Sequence, residues 1–237
     1  MTFRCEVHGV IIEMPFAMDN GQEKFGIVQC EQHLRSGVAT GGWEQCERDR
    51  TNRFLPDTNV IEFGGGTGFL SCFTNKLIGA DKKHIVYEAN PILKQVIEHN
   101  RDINGCNFEV VTKAYHGSEK LIDYLVTNPH DNIASLQEPV TFRIEAVNLG
   151  DIVREYGLEE YALVMDVEGY EIGLVNESEA LKKCRSIIIE IHRSGAEAGG
   201  RGFDDSINVH QFLLDEGFTL LDRCPCIGWV GAYERQV

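Results

Sequence analysis

Residues 60–71 read VIEFGGGTGFLS, and the rest of the chain takes its meaning from this stretch. Val60 to Phe63 continue an apolar, β-branched run of the kind that fits a strand buried on both faces. The run ends abruptly in Gly64, Gly65, Gly66 and Gly68, and from Phe69 the apolar residues fall at helical spacing until Gly79 closes the segment. A strand passing through glycines into a helix opens a βα unit. In an open α/β sheet, ligands lie beyond the carboxyl ends of the strands, where the strand order reverses. Two phosphate-binding patterns fail on register. A dinucleotide fingerprint starting at Gly64 needs glycine where Phe69 stands, and a phosphate loop needs a Gly-Lys pair that is absent here.

Outward from the loop the same alternation repeats. HIVYE (84–88) is a second strand, NPILKQVIEHNRDING (90–105) a helix, and FEVVTKA (108–114) a third strand. YALVMD (161–166) and SIIIEIH (186–192) are the fourth and fifth core strands. LGDIVREYGL (149–158) and INVHQFLLDEGF (207–218) are helices, and a helical stretch ends near Lys183. FTLLDR and GWVGAYE close the chain as an antiparallel pair. The pattern predicts an α/β domain of three layers over 57–237, with a mostly parallel sheet covered on both faces. Residues 1–56 form an extension: a hairpin turning at His8-Gly9, a helix over 21–35, a glycine-rich break at 36–42 and a second helix in WEQCERDRTNRF (43–54). Residues 115–147 read as an insertion, with a loop tip at 127–132 and a strand in VTFRIEAV.

The balance of 22 basic against 37 acidic residues, a net −15, repels phosphate backbones and excludes nucleic acid as the expected substrate. No run of apolar residues is long enough to span a bilayer, and the N-terminus lacks a signal-peptide pattern, so a cytoplasmic location is expected. The eight cysteines have no disulfide-framework spacing and are expected to be reduced, Cys224 and Cys226 included. Cys5-x-x-His8 with Cys30-x-x-His33 is a zinc alternative, disfavoured because one pair falls on a hairpin and the other on a helix.

The glycine run fits Glu-x-Gly-x-Gly-x-Gly through Glu62, Gly64, Gly66 and Gly68. That pattern resembles the loop of S-adenosylmethionine-dependent methyltransferases. Small residues let the backbone approach a cofactor closely, helix-start amides suit its carboxylate, and Glu62 suits its ammonium group. Glu88 ends the next strand, 24 residues after Gly64, where a carboxylate can accept from both ribose hydroxyls. Ser71, Ala89, Ala114 and Asp166 complete the expected cofactor-binding set.

In VMDVEGYEIGLV (164–175), Asp166, Glu168 and Glu171 crowd around Gly169 just after a buried-looking strand. With IEFGGGTGFLS, YEANP, AVNLGDIVREYGL, LVMDVEGYE and IIIEIH, this segment makes the chain resemble the FkbM-type methyltransferases over about residues 57–193. Asp166-Val-Glu168-Gly169-Tyr170-Glu171 fits the family's Asp-x-Glu-Gly-x-Glu motif at each position. The chain departs from it at Gly65-Gly66-Thr67-Gly68, where relatives read Gly-Ala-Asn-x-Gly, and at Val164, where they often have lysine. The resemblance implies a Rossmann-like class I methyltransferase fold of seven strands, S-adenosyl-L-methionine as cofactor, and O-methylation of a small molecule or sugar. A non-catalytic module of the same fold is the alternative.

Strand alternation points Glu190 and His192 to one side of the fifth strand, so they can converge with Asp166 if the fourth and fifth strands are neighbours. His192 is the candidate general base, and Asp166 and Glu168 are the carboxylates that orient the substrate. Glu171 reads as a first-turn helix charge. No metal is assigned, with a divalent ion held by the carboxylate–histidine set as the alternative. Tyr115, His116, Arg193 and the loop over 195–205 are further candidates for substrate contact.

Overall fold

The computed structural model describes residues 2–15, 44–126, 140–192, 204–224 and 229–236. The expected helix over 21–35, the break at 36–42, the loop tip at 127–132, Cys30, His33, Arg193 and the loop from 195 to 203 lie outside the described residues.

The chain opens with β1 (Thr2–Val7) and β2 (Val10–Pro15), paired antiparallel through a turn in which His8 and Gly9 both have positive φ. After α1 (Gln45–Phe54) comes the alternating core: β3 (Asn59–Phe63), α2 (Phe69–Leu77), β4 (His84–Tyr87), α3 (Lys94–Ile103) and β5 (Glu109–Val111). Next are β6 (Ala114–Tyr115), β7 (Leu121–Val126), β8 (Val140–Val147), α4 (Leu149–Tyr156) and β9 (Tyr161–Met165). A 3₁₀ segment (Tyr170–Asn176), α5 (Ser178–Leu181), β10 (Cys184–Ile191), α6 (Asp204–Asp215), β11 (Phe218–Cys224) and β12 (Trp229–Arg235) complete the order.

Seven strands form one sheet in the order β11-β12-β10-β9-β3-β4-β5. Strands β10, β9, β3, β4 and β5 pair in parallel, and β12 runs antiparallel to both its neighbours. From β3 the chain winds outward to β5, then returns to place β9 on the other side of β3. That reversal is the switch point at which a ligand crevice forms.

Period-two alternation builds the two faces. Ile61, Phe63, Ile85, Leu163, Met165, Ile187 and Ile189 share one buried cluster with Ile152, Leu174, Val209 and Leu213 from the covering helices. On the opposite face Val60, Val164 and Ile188 pack with Leu70 of α2, and Val86 and Val110 pack with Phe69 and Ile97. Val10 and Ile12 of the N-terminal hairpin join this second cluster. The hairpin is held by Asn100 of α3 and by Asn104 at that helix's C-cap, whose side-chain oxygens accept from Glu13 N at 2.7 Å and Ile11 N at 2.8 Å.

Three expectations change. The third strand ends at Val111, because Lys113 N turns back to Val111 O at 3.1 Å. Ala114 and Tyr115 leave the main sheet and pair with β8, giving a separate three-stranded sheet β6-β8-β7 from the inserted region. Cys224 is not reduced but joined to Cys46, 178 residues away, because the fold brings α1 beside β11. Residues after Gly169 form a 3₁₀ segment rather than an α-helical start, and this carries Glu171 inward.

Candidate active site

Three strand ends are aligned by ladder hydrogen bonds that extend one residue past each strand. Gly64 N donates to Tyr87 O at 2.9 Å, Asp166 N to Phe63 O at 2.9 Å and Glu88 N to Val111 O at 3.0 Å. Gly64, Glu88 and Asp166 therefore stand on one edge of the sheet. Gly64 has φ +91°, and a Cβ there would lie 1.8 Å from the carbonyl oxygen of Asp166. No other residue fits between the adjacent strand exits.

One half of this edge is built from backbone. Gly68, in a left-handed conformation, is the N-cap of α2. Glu88 is buried, and its two carboxylate oxygens accept from Gly66 N at 2.9 Å and Asn90 N at 2.7 Å, which clamps the glycine loop to the end of β4. Burial raises the Glu88 carboxyl above the usual range, and amides of Asn90, Gly66, Gly65 and Ala89 oppose that rise. Ala89 packs against Ala114, Ile144 and Ala146, so the inserted sheet walls this half.

Glu62 and Ser71 take a different place from the one expected. Glu62 is 1% exposed, with one oxygen accepting from Ser71 Oγ and the other 3.0 Å from His84 Nε2. Both oxygens are occupied inside the protein. Glu62 braces the loop from beneath, and an ammonium group on the loop surface would find it closed off.

The other half is built from side chains. His192 follows β10, and its Nδ1 lies 3.0 Å from Glu171 Oε1. The same Glu171 oxygen accepts from Val167 N at 3.1 Å and Gly169 N at 3.3 Å, and its side chain is only 2% exposed. Nε2 faces Glu168 Oε2 at 3.3 Å, Asp166 Oδ1 at 3.7 Å and Glu190 Oε1 at 3.7 Å. Glu190 also shares a hydrogen bond with Glu47 of α1. Glu168 is held at φ +53°, a conformation that disfavours a side chain and places its carboxylate at the mouth.

Crowding of like charges sets the protonation. Burial, with the neighbouring carboxylates, raises Asp166 to about 8 against the pull of His192. Burial, the proton shared with Glu47 and the charge of Asp166 raise Glu190 to about 9. Burial alone would lower His192, but the Glu171 hydrogen bond and the charges of Asp166, Glu171 and Glu168 outweigh it and raise the imidazole to about 10. The carboxylates around it thus favour the protonated form of the expected general base.

The sequence profile of the methyltransferase FkbM domain matches residues 60–220, well over half of the chain. The chain belongs to the FkbM methyltransferase family. The methyl donor is S-adenosyl-L-methionine. No curated protein matches this FkbM methyltransferase. Among solved structures, a candidate rRNA methylase from Clostridium thermocellum is similar at 11% identity and TM-score 0.50, covering 81% of this chain and 94% of that one. The ribosomal protein L11 methylase from Lactobacillus delbrueckii subsp. bulgaricus is similar at 12% identity and TM-score 0.48, covering 81% and 78%. Fibrillarin from Aeropyrum pernix, with bound S-adenosyl-L-methionine, is similar at 12% identity and TM-score 0.47, covering 75% and 66%. At the first of these levels the likeness concerns the fold.

In this FkbM methyltransferase Asp166, Glu168 and His192 do converge, joined by Glu190. Glu171 and Glu47 are the members that sequence reasoning left out. A signal existed for Glu171, since all three carboxylates belong to one Asp-x-Glu-Gly-x-Glu motif. Glu47 arrives from the N-terminal extension, and nothing in its local sequence marks it. Tyr115 is buried and Phe63 packs on it at 4.7 Å, which makes it core rather than a substrate contact. His116 is partly exposed and meets Tyr170 edge-on at 5.9 Å.

Proposed function

We propose that the protein transfers the methyl group of S-adenosyl-L-methionine to a hydroxyl of a small molecule or sugar. The observation that carries this reading is the junction of two halves at the switch point: a glycine loop clamped by Glu88, and a carboxylate–imidazole cluster directly beyond Asp166. In the reaction the carbon–sulfur bond of the sulfonium breaks as a carbon–oxygen bond forms in line with it, leaving neutral S-adenosylhomocysteine. Alignment supplies most of the acceleration, since oriented reactants reach effective molarities on the order of 10⁵–10⁸ M. Glu88 takes the ribose hydroxyls, and the absence of side chains at Gly64, Gly66 and Gly68 lets the donor's amino-acid end lie close against the loop backbone. Asp166 and Glu168 orient the acceptor hydroxyl, whose proton passes into the cluster around His192.

The charge of the cluster favours a neutral or cationic acceptor. Phosphate-rich nucleic acid would meet Asp166, Glu168, Glu190 and a chain of net charge −15. The extension over 1–56 supplies Glu47 to the site of the domain over 57–237 and so belongs to the working unit. Among the described residues no helix is long and apolar enough to cross a membrane.

Calorimetry with S-adenosylmethionine, S-adenosylhomocysteine and NAD tests the donor. Labelled methyl transfer to a panel of sugars and hydroxylated small molecules, with rRNA as the competing acceptor, tests the acceptor. Saturable binding of the first two ligands and label on a hydroxyl support the reading. Absence of that binding, or label on RNA, overturns it. Binding without transfer to any acceptor points to the non-catalytic module. His192→Ala is expected to lower turnover sharply while leaving cofactor affinity near wild type.

A further inference from the structure

Ionised carboxylates on a surface repel one another and turn outward to water. Around His192 they turn inward. Asp166 and His192 offer donor atoms within 4.8 Å of one another, and Glu171 joins them from the Nδ1 side of the ring. The spacing within the group is informative. From Nε2 the three facing carboxylate oxygens stand at 3.3, 3.7 and 3.7 Å. Two of these separations exceed a hydrogen bond. All three approach the edges of a coordination polyhedron: with metal–ligand bonds of ~2.1 Å, adjacent donors sit about 3.0 Å apart in an octahedron and about 3.4 Å apart in a tetrahedron.

Two further features separate this set from an ordinary acidic surface. Asp166 Oδ1, the oxygen that faces Nε2, is shut off from solvent and has no hydrogen-bond partner among the described residues. An orphaned buried oxygen of this kind costs free energy unless something sits against it. Glu171 is also spent on the far side of the ring. Two backbone amides and Nδ1 converge on its Oε1, so it fixes the imidazole with Nε2 turned to the carboxylates. A carboxylate behind a histidine, holding the second nitrogen as donor, is the support that metal-ligating histidines require.

We propose that Nε2 of His192, Asp166 and Glu168, with Glu190 completing the set, bind a divalent cation of the Mg²⁺ or Mn²⁺ class. One imidazole among carboxylate oxygens matches such ions better than the sulfur-rich sets that select zinc. Glu171 is a positioning residue that touches the histidine and not the ion. The cation would stand beside Asp166, at the acceptor side of the cofactor. The existence of the site does not depend on methyl transfer, although its role in orienting an acceptor oxygen rests on the function proposed above.

The test is titration of chelator-treated full-length protein with MnCl₂, followed by calorimetry and by loss of the free Mn²⁺ resonance signal, with MgCl₂ as competitor. The expected result is one Mn²⁺ per chain. Asp166→Asn and His192→Gln are each expected to weaken binding by at least about 10-fold, and Glu171→Gln by about 10-fold through loss of the imidazole's orientation. Glu168 is 58% exposed at its side chain, so Glu168→Gln tests a ligand without threatening the fold. The thermal unfolding midpoint, measured on every variant, confirms that each is folded. No saturable Mn²⁺ binding by the wild type overturns the proposal, as does equal binding by the Asp166, Glu168 and His192 variants. Methyl transfer unaffected by chelator would overturn the cation's role in orienting the acceptor while leaving the methyltransferase reading standing. Loss of S-adenosylhomocysteine binding by the wild type would strike that reading alone.

Discussion

The two halves of the site use carboxylates in opposite ways. On the donor side Glu88 is met by backbone amides from both neighbouring segments, and its charge is answered before any ligand arrives. On the acceptor side Asp166, Glu168 and Glu190 face one imidazole at 3.3–3.7 Å, and their charges are answered by protons or by a cation. The first arrangement is rigid and specified by backbone. The second comes from side chains on separate strands and is poised to exchange what it holds. The donor half is therefore expected to fail through geometry and the acceptor half through charge.

Gly64→Ala is the most damaging way to test the first part of that contrast. The added methyl would lie 1.8 Å from Asp166 O at a φ of +91°. Left-handed backbone costs a non-glycine residue roughly 1–2 kcal/mol, and overpacking about 1–3 more. Thermal unfolding should show a loss of that order, and S-adenosylhomocysteine binding should fall below detection. Wild-type affinity in this variant would mean that the two strand ends are not in contact.

Glu88→Gln comes next, with an expected drop in cofactor affinity of about 10- to 100-fold and little change in turnover at saturating donor, as calorimetry and initial rates would show. Its pH dependence has a definite sign. Burial raises the Glu88 carboxyl above its unfolded value near 4.3. The folded state therefore binds the proton more readily, and stability contributed by this group is lost as pH rises through the raised pKa. Cofactor binding runs the other way, because an ionised oxygen accepts from ribose better than a neutral acid. Affinity should rise with pH across that window in the wild type and stay flat in Glu88→Gln. A wild-type profile as flat as the variant's would remove Glu88 from cofactor binding.

The same contrast explains what could be read from sequence. The strand, loop and helix of 59–77 are local, and the backbone needs of a tight loop write themselves into glycine spacing. Glu88 and Asp166 could be placed because both end apolar strands. Glu62 and Ser71 both stand in the expected cofactor-binding set, but their inward direction is not legible, since a strand's period fixes the face and not the depth. Glu171 was misread because a first-turn charge and a buried acceptor look alike until the 3₁₀ geometry turns the side chain inward. Glu47 and the Cys46–Cys224 link depend on α1 crossing to β10 and β11, a long-range contact with no local trace.

Glu171→Gln sharpens the acceptor side. Glutamine keeps an oxygen for Val167 N and Gly169 N but offers the imidazole a neutral partner. Turnover is expected to fall about 10- to 100-fold with cofactor affinity unchanged. A purely structural role would instead show as a lower unfolding temperature with normal turnover per folded molecule.

Asn148→Ala sets the scale for these effects and is the smallest. The Asn148 side chain accepts from Asp151 N at 2.8 Å and caps α4. Losing that cap costs about 1 kcal/mol. Helix α4 contributes no side chain to either carboxylate set described above, and its Ile152 and Val153 lie in the large core cluster. Its variant should lower the unfolding temperature by a few degrees and leave cofactor affinity and turnover where they were. If this modest loss of stability alone lowered either quantity, the fall in Glu171→Gln could be general loosening, and assigning it to the imidazole would fail. Equal activity in Asn148→Ala and wild type, beside reduced activity in Glu171→Gln, ties the loss to the orientation of His192.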